Sequence, residues 1–566
     1  LIRRFLPLLV CVSLATACAN IPEQTIPQPI QNFEAPTKHA APGPTKDAEP
    51  ISLVRDFILA SGNTAAAQAY LTDDAKKGWR PDNQPTIIED DFSTVPQPPA
   101  KEGDPNSINV DLKGTRIGRL NNDKSFSAET SPFNQTVRLA KQDGQWRIAE
   151  VPGNGLVVPL KQFNDYYRSV KLYFYDTTKT VLVPDLRYLP GVPTAPPTDV
   201  VALLLQGPAA GLHAAMHSAL PQGVTQRTNA VLSKNVLVVN LGDVPNMTLE
   251  DKDLVAQQVV LSLQDIANTI RLQVEGLPLV PDRLDWKTTD VQPLSDKTTP
   301  GAQLPGYVVV NKQLKSLKDG SPLPGPAGNG EYKVESAAQS VDGSQLAVVE
   351  RTTTGLQLRI GNINEGLRVA ATATTEMTRP TWQFGLSTDQ TGNEVWTVAD
   401  GLVIRLAKTK DTILSLPVDF TELTPYGKIT ELRLSRDGVR VAVVAGGRLY
   451  IGAVARTDNG TAVKISAPKL VPQVTSVVSV DWLNQSTVMV ATNSPSGPVW
   501  RVPVDGIDAE RYSVTNLTLP LTSIAAAPSR AVIVTDAVGM WAASEVGQIW
   551  QNIPGQGPGN RPFYPG

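Results

Sequence analysis

The feature that most restricts this chain is a repeat in its C-terminal half. Ser340-Val341-Asp342-Gly343-Ser344-Gln345-Leu346-Ala347-Val348-Val349 reads as a turn followed by a buried strand. Ser435-Arg436-Asp437-Gly438-Val439-Arg440-Val441-Ala442-Val443-Val444 repeats it closely. Ser387–Trp396 is a looser copy, and Trp482–Val490 and Ala527–Val534 continue the rhythm. The spacing is about 45 residues, the size of one four-stranded propeller blade. An alternating strand follows each of the first four copies, at Leu356–Ile360, Leu402–Leu406, Arg448–Gly452 and Val499–Val502. Five copies are legible. Tyr307–Val310 and the stretch from Trp541 to Trp550 are the candidates to complete a further blade or close the ring. One blade cannot bury both of its faces and must stack on neighbours, so residues 305–566 are expected to form an all-β propeller.

At 566 residues the chain is long for one domain, and three folded units is the fair expectation. The whole chain carries 47 prolines and 42 glycines, and upstream of the repeat the patterns mix helix and strand. Residues 51–152 read as a helix-led α+β domain. Ile51, Val54, Phe57 and Ile58 recur at helical spacing, and Ala66, Ala67, Tyr70 and Leu71 predict a second helix ending near Gly78. Strands follow at Ile108–Leu112 and Thr136–Leu139, and at Gln145–Ile148 after the Asp143-Gly144 turn. Residues 165–290 read as a second α+β domain, with strands at Val170–Tyr175 and Asn235–Leu241 and a helical block over 198–205. Thr248-Leu249-Glu250-Asp251 resembles a capping box, and Val255, Val259, Leu263, Ile266 and Ile270 follow on one helical stripe. Ile270–Val274 ends that block as a strand or helix end. Gly and Pro near 151–160 and 296–328 predict hinges at both junctions.

The N-terminus decides location. Arg3 and Arg4 precede a short, mostly apolar run over residues 5–17, and small residues lead to Cys18. That order of parts is a secretory signal, too short to span a bilayer as a mature helix. The cysteine suits lipid attachment and cleavage, which makes 1–17 a lipoprotein signal peptide and Cys18 the lipidation site. Ala15 stands where the usual lipobox has Leu, with Leu14 one place further out. Residues 18–50 carry recurrent prolines without apolar period and read as an extended tether. The expected location is the outer face of the cell membrane, with a soluble body anchored through lipid.

Candidate chemistry is sparse. Net charge is −3, which argues against nucleic acid as a partner. Both cysteines lie at or before position 18, so disulfides and cysteine metal sites are closed to the rest of the chain. His213 and His217 have the spacing of half a zinc site on one helical face, but Ala214 stands where a metalloprotease needs Glu, and a surface or partly packed pair on a small-residue helix is the expected reading. His39 falls in the tether and has no role. Glu89-Asp90-Asp91 lacks the alternating ligands and turn glycine of a calcium loop and reads as solvated. Gly555-Gln556-Gly557-Pro558-Gly559 has no helix after it, so it reads as a flexible tail rather than a phosphate loop. No cofactor, metal or catalytic residue is assigned, and the protein is expected not to be an enzyme.

Together these parts resemble the LpqB family of actinobacterial lipoproteins. In the middle domain the resemblance rests on Leu203-Leu204-Leu205-Gln206-Gly207-Pro208, on Leu220-Pro221-Gln222-Gly223 and on Val236–Leu241, which look like the GerMN domain of spore germination. In the first domain it rests on Ala69-Tyr70-Leu71-Thr72, Gly78-Trp79-Arg80-Pro81 and Asp143–Ile148, and Tyr188-Leu189-Pro190 also fits. The resemblance implies a non-enzymatic envelope protein that binds the extracytoplasmic part of a sensor histidine kinase, MtrB of the MtrAB two-component system, and so bears on cell-wall homeostasis and division. A second reading is a cell-wall carbohydrate or peptidoglycan binder that stacks sugars on Trp382, Trp396, Trp482, Trp500 and Trp541, although Trp at recurrent blade positions is more often core. A third is a propeller hydrolase. The propeller has no histidine for a Ser-His-Asp arrangement, while a carboxylate pair stays open.

Overall fold

The computed structural model describes residues 43–566 except 80, 82–83, 99–103, 152–154, 192–193, 292–298, 364–365, 384–393, 409–411 and 458–459. The chain enters through the helix Pro50–Ala60. Its first-turn proline needs no hydrogen-bond donor there, and Leu53, Val54, Phe57 and Ile58 are buried along one face. The expected second helix is two. Asn63 caps Thr64–Gln68 and Thr72 caps Asp73–Gly78. Between them the Ile148 N–H donates to Tyr70 O and the Thr72 N–H to Ile148 O, both at 2.9 Å, so this stretch is claimed by a sheet edge. That sheet runs Gln145–Glu150, Phe126–Gln142, Ser107–Leu120, Thr86–Ile88, Val157–Pro159, with Ser93–Pro96 also on Ser107–Leu120. Asp143 and Gly144 both take positive φ, 53° and 74°, as a two-residue hairpin turn requires. No hinge lies at 157–160. Val157–Pro159 pairs in parallel with Thr86–Ile88, buries its valines, and runs straight into the helix Leu160–Tyr166.

The middle region holds two sheets. Tyr167–Asp176 and Leu182–Pro190 form a hairpin, with Met216–His217 added beside the first strand. Val236–Gly242 and Thr269–Val274 are parallel neighbours joined through the helix Leu249–Ser262, the connection that parallel pairing demands. Thr248 caps that helix by accepting from the Asp251 N–H. The apolar stripe is shorter than its spacing predicts. The helix ends at Ser262, whose Oγ donates to Gln258 O and accepts the Tyr173 N–H, both at 2.8 Å, and Ile270 lies in the following strand.

The C-terminal region repeats one unit. Five four-stranded antiparallel meanders begin at Val334–Gln339, Thr381–Gln383, Ile429–Leu434, Val477–Asn484 and Ser523–Ala525. Their second strands, Gln345–Thr352, Glu394–Ala399, Arg440–Ala445, Thr487–Thr492 and Val532–Thr535, are buried along nearly their whole length, because both faces meet neighbouring sheets. The two close sequence copies have one geometry. Ser340 Oγ donates to Asp342 Oδ1 and accepts the Gln345 N–H at 2.9 Å, and Ser435 Oγ does the same with Asp437 and the Arg440 N–H at 2.9 Å. Gly343 and Gly438 supply the positive φ that the turn needs. Most of the looser copy at Ser387–Trp396 falls outside the described residues.

A sixth sheet joins both ends of this region. Tyr307–Val310 pairs with Gln313–Ser316 on one side and with Arg561–Phe563 on the other. The expected closing stretch from Trp541 to Trp550 lies elsewhere. Trp541 sits in Met540–Ala543, inside the fifth meander. Gly555–Gly559 is not a free tail, since it makes the turns that return the chain as Arg561–Phe563. Nor is 307–316 a loose hinge, because both of its strands are committed to this sheet. The first strand of each sheet touches the first strand of the next, and Arg561–Phe563 touches both Ser523–Ala525 and Val334–Gln339. The Ser435→Ala variant should lose about 1–3 kcal/mol, because it leaves a buried N–H without its acceptor. Chemical denaturation followed at the C-terminal tryptophans would measure it.

Candidate functional site

The strand Leu182–Pro190 is where the three regions meet. Arg187 has no solvent exposure. Its Nη1 donates to Asp123 O at 2.5 Å, in the turn between two strands of the N-terminal sheet, and its Nη2 donates to Asp185 Oδ2 at 2.6 Å and Gly207 O at 3.2 Å. Asp185 also accepts the Ala209 N–H at 2.7 Å. Burial alone would raise the Asp123 carboxyl, but hydrogen bonds from Ser125 and the Arg187 charge outweigh it and hold the group below the usual range.

The next residue reaches the C-terminal region. Tyr188 Oη donates to Asp505 Oδ2 at 2.7 Å, across 317 positions of sequence. The buried Arg440, on the second strand of the third meander, donates from Nη2 to Pro184 O at 2.6 Å. Asn164 Nδ2 donates to Asp508 Oδ2 at 2.9 Å. Apolar packing is continuous across the same seam. Ile507 joins the N-terminal core, and Val439 and Ala453 join the middle core.

Beside this seam is a cleft of about 830 Å³ with one wall from each end of the molecule. Glu89, Ile117, Thr130 and Leu160 line one side, and Trp500, Arg501, Ile507, Glu510 and Arg511 line the other. The Arg511 guanidinium lies 4.8 Å from the Trp500 ring centre, and Arg501 pairs with Glu510 at 3.4 Å. An apolar floor with charges of both signs at the lip suits a protein partner better than a reaction, and clefts between domains are favoured places for binding.

The residues singled out from sequence fall elsewhere. Cys18 and His39 lie outside the described residues. His213 follows a short 3-10 turn, Ala210–Leu212, and His217 is on the strand Met216–His217, so the two do not share a helical face. Pairing with the Tyr167–Asp176 strand overrides the small-residue helical pattern there. Among the described residues no group of three or more His, Cys, Asp and Glu side chains is placed to hold a metal ion. Glu89, Asp90 and Asp91 are exposed, and Asp90 accepts the Lys161 N–H at the start of a helix. Trp382, Trp396 and Trp482 are buried in the meanders, and Trp500 is 9% exposed. Their indole N–H groups donate to Ala338 O, Glu394 Oε2, Arg433 O and Gly497 O respectively. Those rings are core, and only Trp541 is part-exposed. Arg187, Arg440 and Asp505 carried no legible role in the sequence, since each is defined by a distant partner. Asp505-Gly506 reads only as a turn.

Asp505 makes the seam sensitive to pH. Burial pushes its carboxyl up to about 6, against the weaker opposing effect of the Tyr188 hydrogen bond. A raised folded-state value means that its contribution is complete below the unfolded value near 4 and is lost as pH rises through about 6. Hydrogen exchange at the 503–508 loop should therefore quicken, relative to the intrinsic rate, between pH 5 and pH 7 in the natural protein. It should be flat over that range in Asp505→Asn.

Residues 312–565 match the family model of the lipoprotein LpqB beta-propeller domain, residues 43–164 that of the lipoprotein LpqB N-terminal domain, and residues 171–280 that of a sporulation and spore germination domain. The chain is 30% identical over 603 residues to lipoprotein LpqB of Mycolicibacterium smegmatis, covering 100% of both chains. It is 30% identical over 596 residues to lipoprotein LpqB of Nocardia farcinica, covering 97% of this chain and 96% of that one. Among solved structures, the tandem GerMN domains of Bacillus subtilis GerM align at 17% identity with a TM-score of 0.19, over 26% of this chain and 58% of that one. The Cps50 (Swd1) β-propeller domain aligns at 15% identity with a TM-score of 0.28, over 41% of this chain and 74% of that one. Full-length identity at this level, with matching models for all three regions, places the chain in the LpqB lipoprotein family.

Proposed function

We propose that this protein is a non-enzymatic regulator, anchored through lipid on Cys18 at the outer face of the cell membrane, that binds the extracytoplasmic part of an MtrB-like sensor histidine kinase and modulates its signalling. The observation that carries the reading is the cleft beside the seam. Its walls come from the N-terminal and C-terminal regions, and the buried bonds of Arg187, Tyr188 and Arg440 hold those walls in one register. Such a surface can grip a partner without first paying to order itself. The six C-terminal sheets are proposed to be the blades of a closed six-bladed propeller. The succession of first-strand contacts and the pairing of Tyr307 with Phe563 support this. Glycan stacking on Trp382, Trp396 and Trp482 is disfavoured, because those rings are packed in cores.

The test is titration of the full-length protein in detergent micelles against the purified extracytoplasmic domain of the cognate kinase. Saturable binding is expected, weakened at least tenfold by Arg501→Glu with Arg511→Glu, which reverse the charge of one lip while leaving the buried seam intact. No binding at tens of micromolar, where weak transient partners still register, would overturn the kinase reading. Cys18→Ser should move the protein from the membrane fraction to the soluble fraction on cell fractionation.

A further inference from the structure

A second cavity, of about 300 Å³, opens where the six C-terminal sheets converge. Every sheet contributes to its lining, through Ser336, Val398, Thr430, Ser479, Ser523 and Arg561, with Arg379 from the segment that leads into Thr381–Gln383. It is remote in sequence from the cleft residues, and none of the three regions' docking bonds uses its side chains. Its size is at the lower end of the range for small-molecule sites, about 300–1,000 Å³.

The donors around it are under-used. Arg379 has five N–H groups. It spends them on two long bonds, from Nη1 to Ile524 O at 3.4 Å and from Nη2 to Asp481 Oδ2 at 3.3 Å, and its Nε is buried with no acceptor. The hydroxyls share this slack. Thr430 reaches Val444 O at 3.4 Å, Thr522 reaches Thr535 O at 3.3 Å, and Ser523 reaches Asn560 O at 3.4 Å. Of these hydroxyls only Ser523 is buried, where a missed bond costs free energy; Thr430 and Thr522 are exposed and free to turn toward a bound group.

The charges point the same way. Of the acidic groups at the cavity, Glu376 is held by Lys428 at 2.5 Å, and Glu431 accepts the Val480 N–H at 3.3 Å. Behind the wall, Asp481 is shared between Arg379 and Arg433, the latter with its Nη2 at 3.4 Å. Burial, with a lesser contribution from the neighbouring Arg379 charge, pulls the Arg433 guanidinium down to about 10. The buried Arg436 adds a third guanidinium, donating to Trp482 O and Ala526 O. Arg561 stands at the cavity as a further cation, while Lys428 is paired with Glu376. An oxyanion facing Arg379 would meet a net positive field and a planar donor fork suited to a carboxylate.

We propose that this cavity binds a small hydroxylated carboxylate of sugar-acid size, its carboxylate on Arg379 and its hydroxyls on Thr430, Thr522 and Ser523. The site is distinct from the proposed kinase cleft, and its test needs no kinase.

The experiment is calorimetric titration of the full-length protein in detergent micelles with D-glucuronate, D-galacturonate, D-gluconate and L-tartrate, with neutral D-glucose as comparator. At least one carboxylate should bind at millimolar concentration or below, at least tenfold more tightly than glucose. Arg379→Gln should weaken that binding at least tenfold. Because Arg379 also touches Asp481, its variant could fail to fold, so Lys428→Glu is the second arm. Lys428 is mostly exposed and its reversal should spare the fold while weakening binding at least fivefold. Absence of heat for all four carboxylates at 10 mM would overturn the proposal, as would unchanged affinity in a folded Lys428→Glu and Arg379→Gln pair.

Discussion

A guanidinium taken fully out of water must find acceptors for its N–H groups, and Arg187 finds them on two different parts of the chain. That requirement sets the register of the strand that carries it. With Arg187 held on Asp123 O and Gly207 O, Tyr188 is presented to Asp505, and Pro184 O is left for Arg440. Three regions are thus joined through one strand, by bonds that are buried and charged on at least one side. Removing one partner would strand a buried charge or donor, which costs more than an exposed ion pair returns.

The C-terminal sheets follow a different logic. Their repeated Ser-x-Asp-Gly turn and apolar second strand form a unit that is stable only between neighbours. Trp382, Trp396, Trp482 and Trp500 are spent on that packing, each with its N–H tied to a nearby acceptor. What this region offers to other molecules therefore lies at the places where the repeat is broken. One is the edge of the fourth sheet, where Trp500, Arg501 and Arg511 face the N-terminal region. The other is the centre, where side chains from all six sheets line one cavity.

The histidine pair shows how local pattern and tertiary pairing can disagree. Ala214, Ala215 and Ala219 favour a helix, and spacing alone would put His213 and His217 on one face of it. The Met216–His217 strand instead completes the edge of the Tyr167–Asp176 hairpin, whose hydrogen bonds a short helix would leave unpaired. Leu71 is a second instance, drawn from a helical pattern into a bridge with Ile148. In both places a sheet edge already in existence claims the segment.

The sequence by itself determined the parts: the period of the C-terminal repeat, the helix at Pro50–Ala60 and the capped helix at Leu249–Ser262, the Asp143-Gly144 hairpin, and the resemblance that identifies the family. These follow from residue spacing and turn chemistry, which act over a few residues. Only the tertiary structure decided how the last strand finds Tyr307–Val310, that residues 157–159 within the expected hinge near 151–160 form a packed strand, and which side chains line the cleft and the central cavity. Those outcomes depend on pairs such as Tyr188 with Asp505, or Arg379 with Asp481, separated by hundreds or by about one hundred residues. An isolated aspartate or arginine carries no mark of its distant partner. Its role arises when folding removes water from both and leaves each as the other's acceptor or donor.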